Sequence, residues 1–351
     1  MPRARLGDGS WQLEDDKLAA LRAKIKKGHM TLGEVYGPPL YGIKTGLNEA
    51  FIVSRERRDE LVARDARSAD LLMPFLRGEN IKRWRVESED LFLINIPRGK
   101  VKIEDYPAIR DHLLPFKDKL EARATKQEWF ELQQAQLAYQ PAFARPKIVY
   151  QDICNSSPFW LDKSGSFLAN TCYFVASGEP SLAALLNSKL AWFYWWSLTT
   201  IARGGYLRLF TQFIQTTPLP EETENHKIGV LADLCQSAAS EQQGIIGSVL
   251  RRIPDLYPPG RTPKLTNRLR EWWKLDFKSF RDEIKKAFKA DIPLKQRSEW
   301  ESFLREESEK VRRLTAEIEQ AEREIDAVVY KLFDLTPDEI TLLESSLAGQ
   351  Y

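Results

Sequence analysis

Lys147-Ile148-Val149-Tyr150-Gln151-Asp152-Ile153 and Phe167-Leu168-Ala169-Asn170-Thr171-Cys172-Tyr173-Phe174-Val175-Ala176 are two β-like runs, with Asp162-Lys163-Ser164-Gly165 between them. Both are rich in Val, Ile, Phe and Tyr, side chains that suit a pleated, half-buried surface. Gly165 can take the positive φ that a hairpin turn needs, so the pattern predicts an antiparallel pair. Further β-like runs lie upstream at Ala50–Val53 and Leu91–Ile96, and Ile109–Gln136 reads as a charged helical stretch. Strands and helices do not alternate as regular βαβ units, which excludes a doubly wound sheet and predicts an α+β fold with mixed or antiparallel sheets.

Towards the N-terminus, Pro38-Pro39 cannot continue a helix and marks a boundary. Ahead of it, Leu18, Leu21 and Ile25 keep helical spacing behind Glu14, Asp15 and Asp16, acidic residues that suit a helix start. Towards the C-terminus, Leu182–Ile201 is a 20-residue apolar stretch, long enough to raise the question of a membrane span. Asn187, Ser188 and Lys189 sit in its middle and its aromatic residues crowd one half, so a buried core helix is expected instead. Thr216-Thr217-Pro218-Leu219-Pro220, followed by acidic residues, reads as a linker, and the remainder as helical. There Val311, Leu314, Ile318, Ala321, Ile325, Val328 and Leu332 alternate by three and four, a narrow seam for an internal helical hairpin or a partner-binding coiled coil. The expected organisation is an N-terminal helical linker (1–36), an α+β body (37–220) and a helical region (221–351).

The chain has 351 residues, 43% of them hydrophobic, with 10 Trp and 17 Phe, which excludes wholesale disorder. Cys154, Cys172 and Cys235 are too few and too scattered for a disulfide framework or a four-thiolate zinc site. With no apolar leader visible, a cytoplasmic protein is expected. His29, His112 and His226 share no metal-like spacing, so neither metal nor cofactor is expected. Net charge is only +2, yet residues 251–297 hold 14 basic against 6 acidic side chains and residues 298–351 hold 6 against 14. Either the two segments compensate each other or the first forms a surface for phosphates.

Several stretches carry a resemblance in order along the chain. They are Tyr41-Gly42-Ile43-Lys44-Thr45-Gly46-Leu47-Asn48-Glu49-Ala50-Phe51-Ile52-Val53, Pro74-Phe75-Leu76-Arg77-Gly78-Glu79-Asn80-Ile81-Lys82-Arg83-Trp84, Pro146-Lys147-Ile148-Val149-Tyr150 and Leu185-Leu186-Asn187-Ser188-Lys189-Leu190. Arg203-Gly204-Gly205-Tyr206, Pro218-Leu219-Pro220 and Ile325-Asp326-Ala327-Val328-Val329-Tyr330-Lys331-Leu332-Phe333-Asp334-Leu335 complete the set. Together they resemble the TaqI-like specificity domain, the target-recognition module of type IIG restriction–modification enzymes and related adenine-specific DNA methyltransferases. The resemblance spans about residues 10 to 345. It implies sequence-specific recognition of double-stranded DNA on behalf of a methyltransferase or nuclease, supplied by another chain or by another part of the same enzyme. The glycine-rich S-adenosylmethionine loop and the Asn/Asp/Ser-Pro-Pro-aromatic loop of such methyltransferases are not found in the sequence. Ser156-Ser157-Pro158-Phe159 departs from the latter at Ser157, so no enzymatic activity of its own is expected.

A reader of duplex DNA needs cations for phosphates and donors and acceptors for base edges. Lys44, Thr45 and Asn48 lie around Gly42 and Gly46, in a contact loop or in a tight turn bonded to itself. Arg77, Lys82 and Arg83 cluster beside Gly78 and Trp84. Arg203, Tyr206 and Arg208 flank two glycines that could equally end a helix. These nine residues are the expected DNA contacts. Two other classes compete. Asp255, Glu283 and Lys285 satisfy the loose PD...ExK pattern of metal-dependent nucleases, although Glu283 falls in a segment of helical apolar spacing. A helical adaptor would use the heptad seam to bind protein and leave DNA untouched.

Overall fold

A computed structural model of the chain describes residues 16–199, 201–202, 206–221, 225–256 and 264–348. The fold is α+β. One antiparallel sheet runs in the order Trp160–Asp162, Lys147–Gln151, Cys172–Val175, Leu40–Tyr41. A second places Phe167–Leu168 parallel to Leu72–Leu76, which pairs antiparallel with Leu91–Ile94 and through it with Ile52–Ser54. The expected antiparallel partnership of the 147 and 172 runs is present, with Tyr173 opposite Tyr150 and Phe174 opposite Val149.

Side chains alternate across the first sheet, so it separates two cores. Val149, Trp160 and Phe174 face one, together with Phe51, Leu93 and Phe143. Ile148, Tyr150, Leu161 and Val175 face the other, together with helices drawn from both ends of the chain. The turn at Gly165 forms with φ 75, and Asp162 Oδ1 accepts the Ser164 N–H at 2.7 Å. Its two arms then part: Trp160–Asp162 stays in the first sheet, while Phe167–Leu168 crosses to the second, where Phe167 stacks on Phe143.

Three expectations need correction. The charged stretch from Ile109 is helical only as far as Glu121, in helices Pro107–Leu113 and Lys117–Glu121. Beyond it the chain is irregular, and Arg123 donates to the carbonyls of Leu120, Thr45, Glu131 and Trp129 that regular structure would otherwise satisfy. The apolar stretch from Leu182 is two helices, Pro180–Asn187 and Lys189–Trp196, divided at Ser188, whose hydroxyl caps the second by accepting the Ala191 N–H. Asn187 pairs with both backbone groups of Phe159, accepting at 3.2 Å and donating at 2.9 Å. Finally, Thr216–Pro220 is a packed strand segment and no linker. Pro218–Leu219 pairs with Met30–Thr31, and the Trp195 indole donates to Thr217 Oγ1 at 2.8 Å.

The heptad seam closes within the chain. Helix Arg297–Leu332 lies antiparallel to helix His226–Arg252, because Gln242 donates to Thr315 while Cys235, a turn or two earlier, faces the Ile318 carbonyl. Where the C-terminal end of the first meets the N-terminal half of the second, a third core forms from Ile246, Val249, Leu269, Trp272, Phe280, Ile284, Phe288 and Val311. Helix Phe277–Phe288 supplies its middle. Among the described residues no helix is long and apolar enough to cross a membrane.

Candidate nucleic-acid interface

The segment Leu168–Tyr173 is the hub at which distant loops meet. Gly42 donates its N–H to the Cys172 carbonyl, and a Cβ there would overlap the carbonyl oxygens of Leu168 and Ala169. Gly78 donates to Thr171 Oγ1 at 3.0 Å, and a Cβ there would meet the Thr171 carbonyl oxygen at 2.8 Å. Only glycine permits both approaches. The loops that carry Lys44 and Arg77 are thereby held on one short segment.

Lys44 is exposed, its backbone bridged to Gln134. Thr45 is buried and its hydroxyl donates to Asn48 Oδ1 at 2.6 Å, so this hydroxyl serves the turn itself, while Asn48 stays exposed. Arg77 is half-buried, with loose ion pairs of 3.6 and 3.7 Å to Glu79 and Glu89. Surface pairs of this kind contribute under about 1 kcal/mol and exchange readily for a phosphate. Lys82 is half-buried on the small hairpin Ile81–Lys82/Arg85–Val86.

Arg83 turns away from this group. At the tip of that hairpin Trp84 takes φ 62, and the Arg83 Nε and Trp84 Nε1 both donate to Glu322 Oε1 on the long helix, at 2.5 and 2.6 Å. The geometry therefore gives Arg83 a structural partner. Arg203 lies outside the described residues. Tyr206 and Arg208 are exposed on strand Tyr206–Arg208, where Arg208 lies opposite Ile153 and its guanidinium sits 5.7 Å from the Phe210 ring.

Residues that the sequence did not single out as contacts lie on or beside the neighbouring strands. Tyr41, Tyr173 and Tyr150 form one cross-strand row, running from 42% exposed at Tyr41 to fully buried at Tyr150. Tyr139 packs on Tyr41 and donates its hydroxyl to the Tyr41 carbonyl at 3.0 Å; burial raises its phenol to about 12. Asp152 stands half-buried where the first sheet passes into the small sheet that contains Arg208. Burial raises its carboxyl, against the opposing pull of the Arg208 charge. One sequence signal could have found it: Ile148 and Tyr150 fill alternate inward positions of the run, and Asp152 continues that alternation with an acid. Chemically, the arrangement offers exposed aromatic faces, one acceptor that can take an exocyclic amino group, and flanking cations for phosphates.

The nuclease pattern does not assemble in this way. Glu283 is buried and engaged by the Thr266 hydroxyl at 2.6 Å and Arg268 at 3.3 Å, while Lys285 faces Asp282 and Asp291. Among the described residues no three His, Cys, Asp or Glu side chains gather to hold a metal. The cysteines are buried and free, with burial raising Cys172 and Cys235 to about 12.

Comparison with known proteins adds three findings. Residues 73–219 match the TaqI-like C-terminal specificity domain, and residues 221–329 match a family described as a domain of unknown function. Type II methyltransferase M.BstVI of Geobacillus stearothermophilus is 23% identical over 190 residues, covering 51% of this chain and 32% of that protein. Type II methyltransferase M.PaeR7I of Pseudomonas aeruginosa is 25% identical over 230 residues, covering 62% and 38% respectively. The fold is also similar to that of the type IIL restriction–modification enzyme MmeI, solved in complex with DNA. The TM-score is 0.52 at 12% identity, over 92% of this chain and 36% of that one. The chain thus spans about a third of the length of these relatives.

Proposed function

We propose, from the premise that this chain carries a TaqI-like C-terminal specificity domain over residues 73–219, that it reads a short sequence in double-stranded DNA as the specificity part of a type IIG-like restriction–modification system. The methyltransferase or nuclease it directs belongs to another chain or to a longer protein of which this is one part, working in the cytoplasm. The observation that carries the reading is the convergence of the Gly42 and Gly78 loops on Leu168–Tyr173, beside Tyr41, Asp152 and Arg208. Close packing through two glycines fixes loops that begin far apart in sequence, and a rigid constellation of that kind is what base readout demands. Lys44 and Arg77 would hold phosphates, Asn48, Tyr206 and Arg208 would contact base edges or sugars, and Asp152 would accept from a cytosine or adenine amino group.

The test is selection of bound duplexes from a random pool, without cofactor, followed by affinity measurement against salt. An enriched short motif with a steep negative salt slope is expected. Arg77→Ala should weaken all duplexes alike and flatten the slope by about one unit, whereas Asp152→Asn should relax the motif at one position, by about 1–3 kcal/mol. A pool that shows neither enrichment nor salt-sensitive binding at low ionic strength removes the proposal.

A further inference from the structure

The basic segment 251–297 and the acidic segment 298–351 could neutralise each other, and the structure argues against it. Among the described residues, the cations of the basic segment pair only inside their own segment: Arg268 with Glu283, Lys274 with Glu271, and Arg281, Arg297 and Lys285 with Asp291. On the long helix, Glu322 pairs with Arg83 of the body and Glu307 with Lys310 of the same helix. Asp291 gathers the partly buried arginines Arg281 and Arg297, which are structural. Lys264, Arg270, Lys278, Lys286, Lys289 and Lys295 are exposed and form no ion pair with another described residue.

These cations sit on a rigid support, the third core, with Phe280, Ile284 and Phe288 turned inwards from helix Phe277–Phe288. Lys278, Lys286 and Lys289 fall at i, i+8 and i+11, on the face opposite that apolar stripe. At 1.5 Å per residue the outer two stand about 16 Å apart along the axis, comparable with a B-DNA major groove about 12 Å wide. Lysines at both ends could thus reach phosphates on the two lips of one groove. Lys289 occupies the left-handed position after the helix, φ 57, which glycine fills with least strain. A positive charge is therefore carried at the C-cap, the helix terminus that most favours a cation.

We infer that the helical module formed by residues 245–256 and 264–305 is a sequence-independent binding surface for the phosphates of duplex DNA. It rests on the reading of the chain as a DNA-binding protein and adds a division of labour: the α+β body selects the sequence, and this module holds the backbone beside it.

The experiment compares three full-length proteins on the motif duplex obtained by selection. They are the unaltered chain, Lys278→Gln/Lys286→Gln/Lys289→Asn, and a control, Lys100→Gln/Lys102→Gln/Lys126→Gln, which removes equal charge from exposed positions on the body. Each phosphate contact contributes about 0.9 to the slope of log affinity against log salt. The module variant should therefore lose about two to three units of slope, keep the selected motif and retain its thermal transition, while the control loses less than one unit. An unchanged slope in the module variant overturns the inference and leaves an acidic protein partner as the occupant to seek. An equal loss in the control also overturns it, because net charge then accounts for the effect. If the unaltered chain binds no duplex at all, the DNA-reading function itself fails, an outcome distinct from either.

Discussion

At the scale of single residues, Lys147 and Asp162 show how far context can override the habits of a side chain. They lie opposite each other in the first sheet, fully buried, with the ammonium 2.5 Å from Asp162 Oδ2 and 2.7 Å from the Phe143 carbonyl. Asp162 also accepts from the Ser164 N–H, the Ser164 hydroxyl and the Ser166 N–H, so one carboxylate both pairs the lysine and builds the turn. Burial lowers the Lys147 ammonium from its ordinary value, and the carboxylate opposes that shift. Removing one partner of such a pair costs about 3–5 kcal/mol, because an uncompensated charge is left in the core. Lys147→Met should therefore destabilise strongly in urea titrations, and adding Asp162→Asn in that background should recover part of the loss. A single variant as stable as the unaltered protein would mean that water reaches this site. The sequence displays the turn, but a lysine that opens a strand gives no sign of being buried. The setting of Asp152 is hidden for a related reason, since its neighbours Tyr173 and Arg208 arrive from other strands.

At the scale of elements, two docking contacts share one face of the long helix. Glu322 and Asp326 are one turn apart. Glu322 receives the hairpin tip at Arg83 and Trp84. Asp326 Oδ1 accepts the Lys189 N–H at 2.8 Å, at the start of helix Lys189–Trp196, where negative charge is favoured. Burial nevertheless raises the Asp326 carboxyl from 3.8 to about 6; Lys189 and Arg83 oppose the rise and Glu322 adds to it. A raised folded value means that the native state binds this proton more tightly than the unfolded chain does. Stability from this group is thus greatest below about pH 4 and declines as pH rises to about 6 and beyond. Asp326→Asn keeps the acceptor and removes the titration. It should match the unaltered protein near pH 4 and exceed it by roughly 1–3 kcal/mol at pH 7.5. A variant less stable than the parent at pH 7.5 would show that attraction to the helix terminus and Lys189 outweighs the cost of burial. The heptad spacing exposes the long helix plainly, yet it says nothing of which polar residues receive other elements. Arg83 was legible as a cation, but its partner stands 239 positions away.

At the scale of the molecule, the cores cut across chain order. One contains Leu21 and Ile25 from the N-terminal helix, Leu185 and Trp195 from the middle, and Ile325, Val329 and Leu343 from the end. A chain shortened to residues 1–220 would strip one wall from this core and expose an apolar surface well beyond the few hundred Å² that soluble monomers usually show. Such a fragment should unfold without a cooperative transition or associate in sedimentation. A sharp transition at the parental midpoint would mean that the body stands alone. The α+β class was readable because alternation and turn chemistry are local signals. The closing of the Thr216–Pro220 segment against Met30–Thr31 was not, since a proline-rich run reads as a break unless its distant partner is known.

If the chain reads DNA as proposed, the shared core also bears on how recognition could be exchanged between relatives. A crossover placed at residue 220 would have to rebuild the fit of the long helix against every strand and helix that it covers. The loops at 42–48 and 77–80 touch that hub mainly through backbone groups, strand Tyr206–Arg208 pairs through its backbone with Ile153–Cys154, and the outward side chains of all three carry little of the packing. On the proposed DNA-reading function, substitutions confined to those outward side chains would leave the three cores intact, so a new target could be acquired a few side chains at a time.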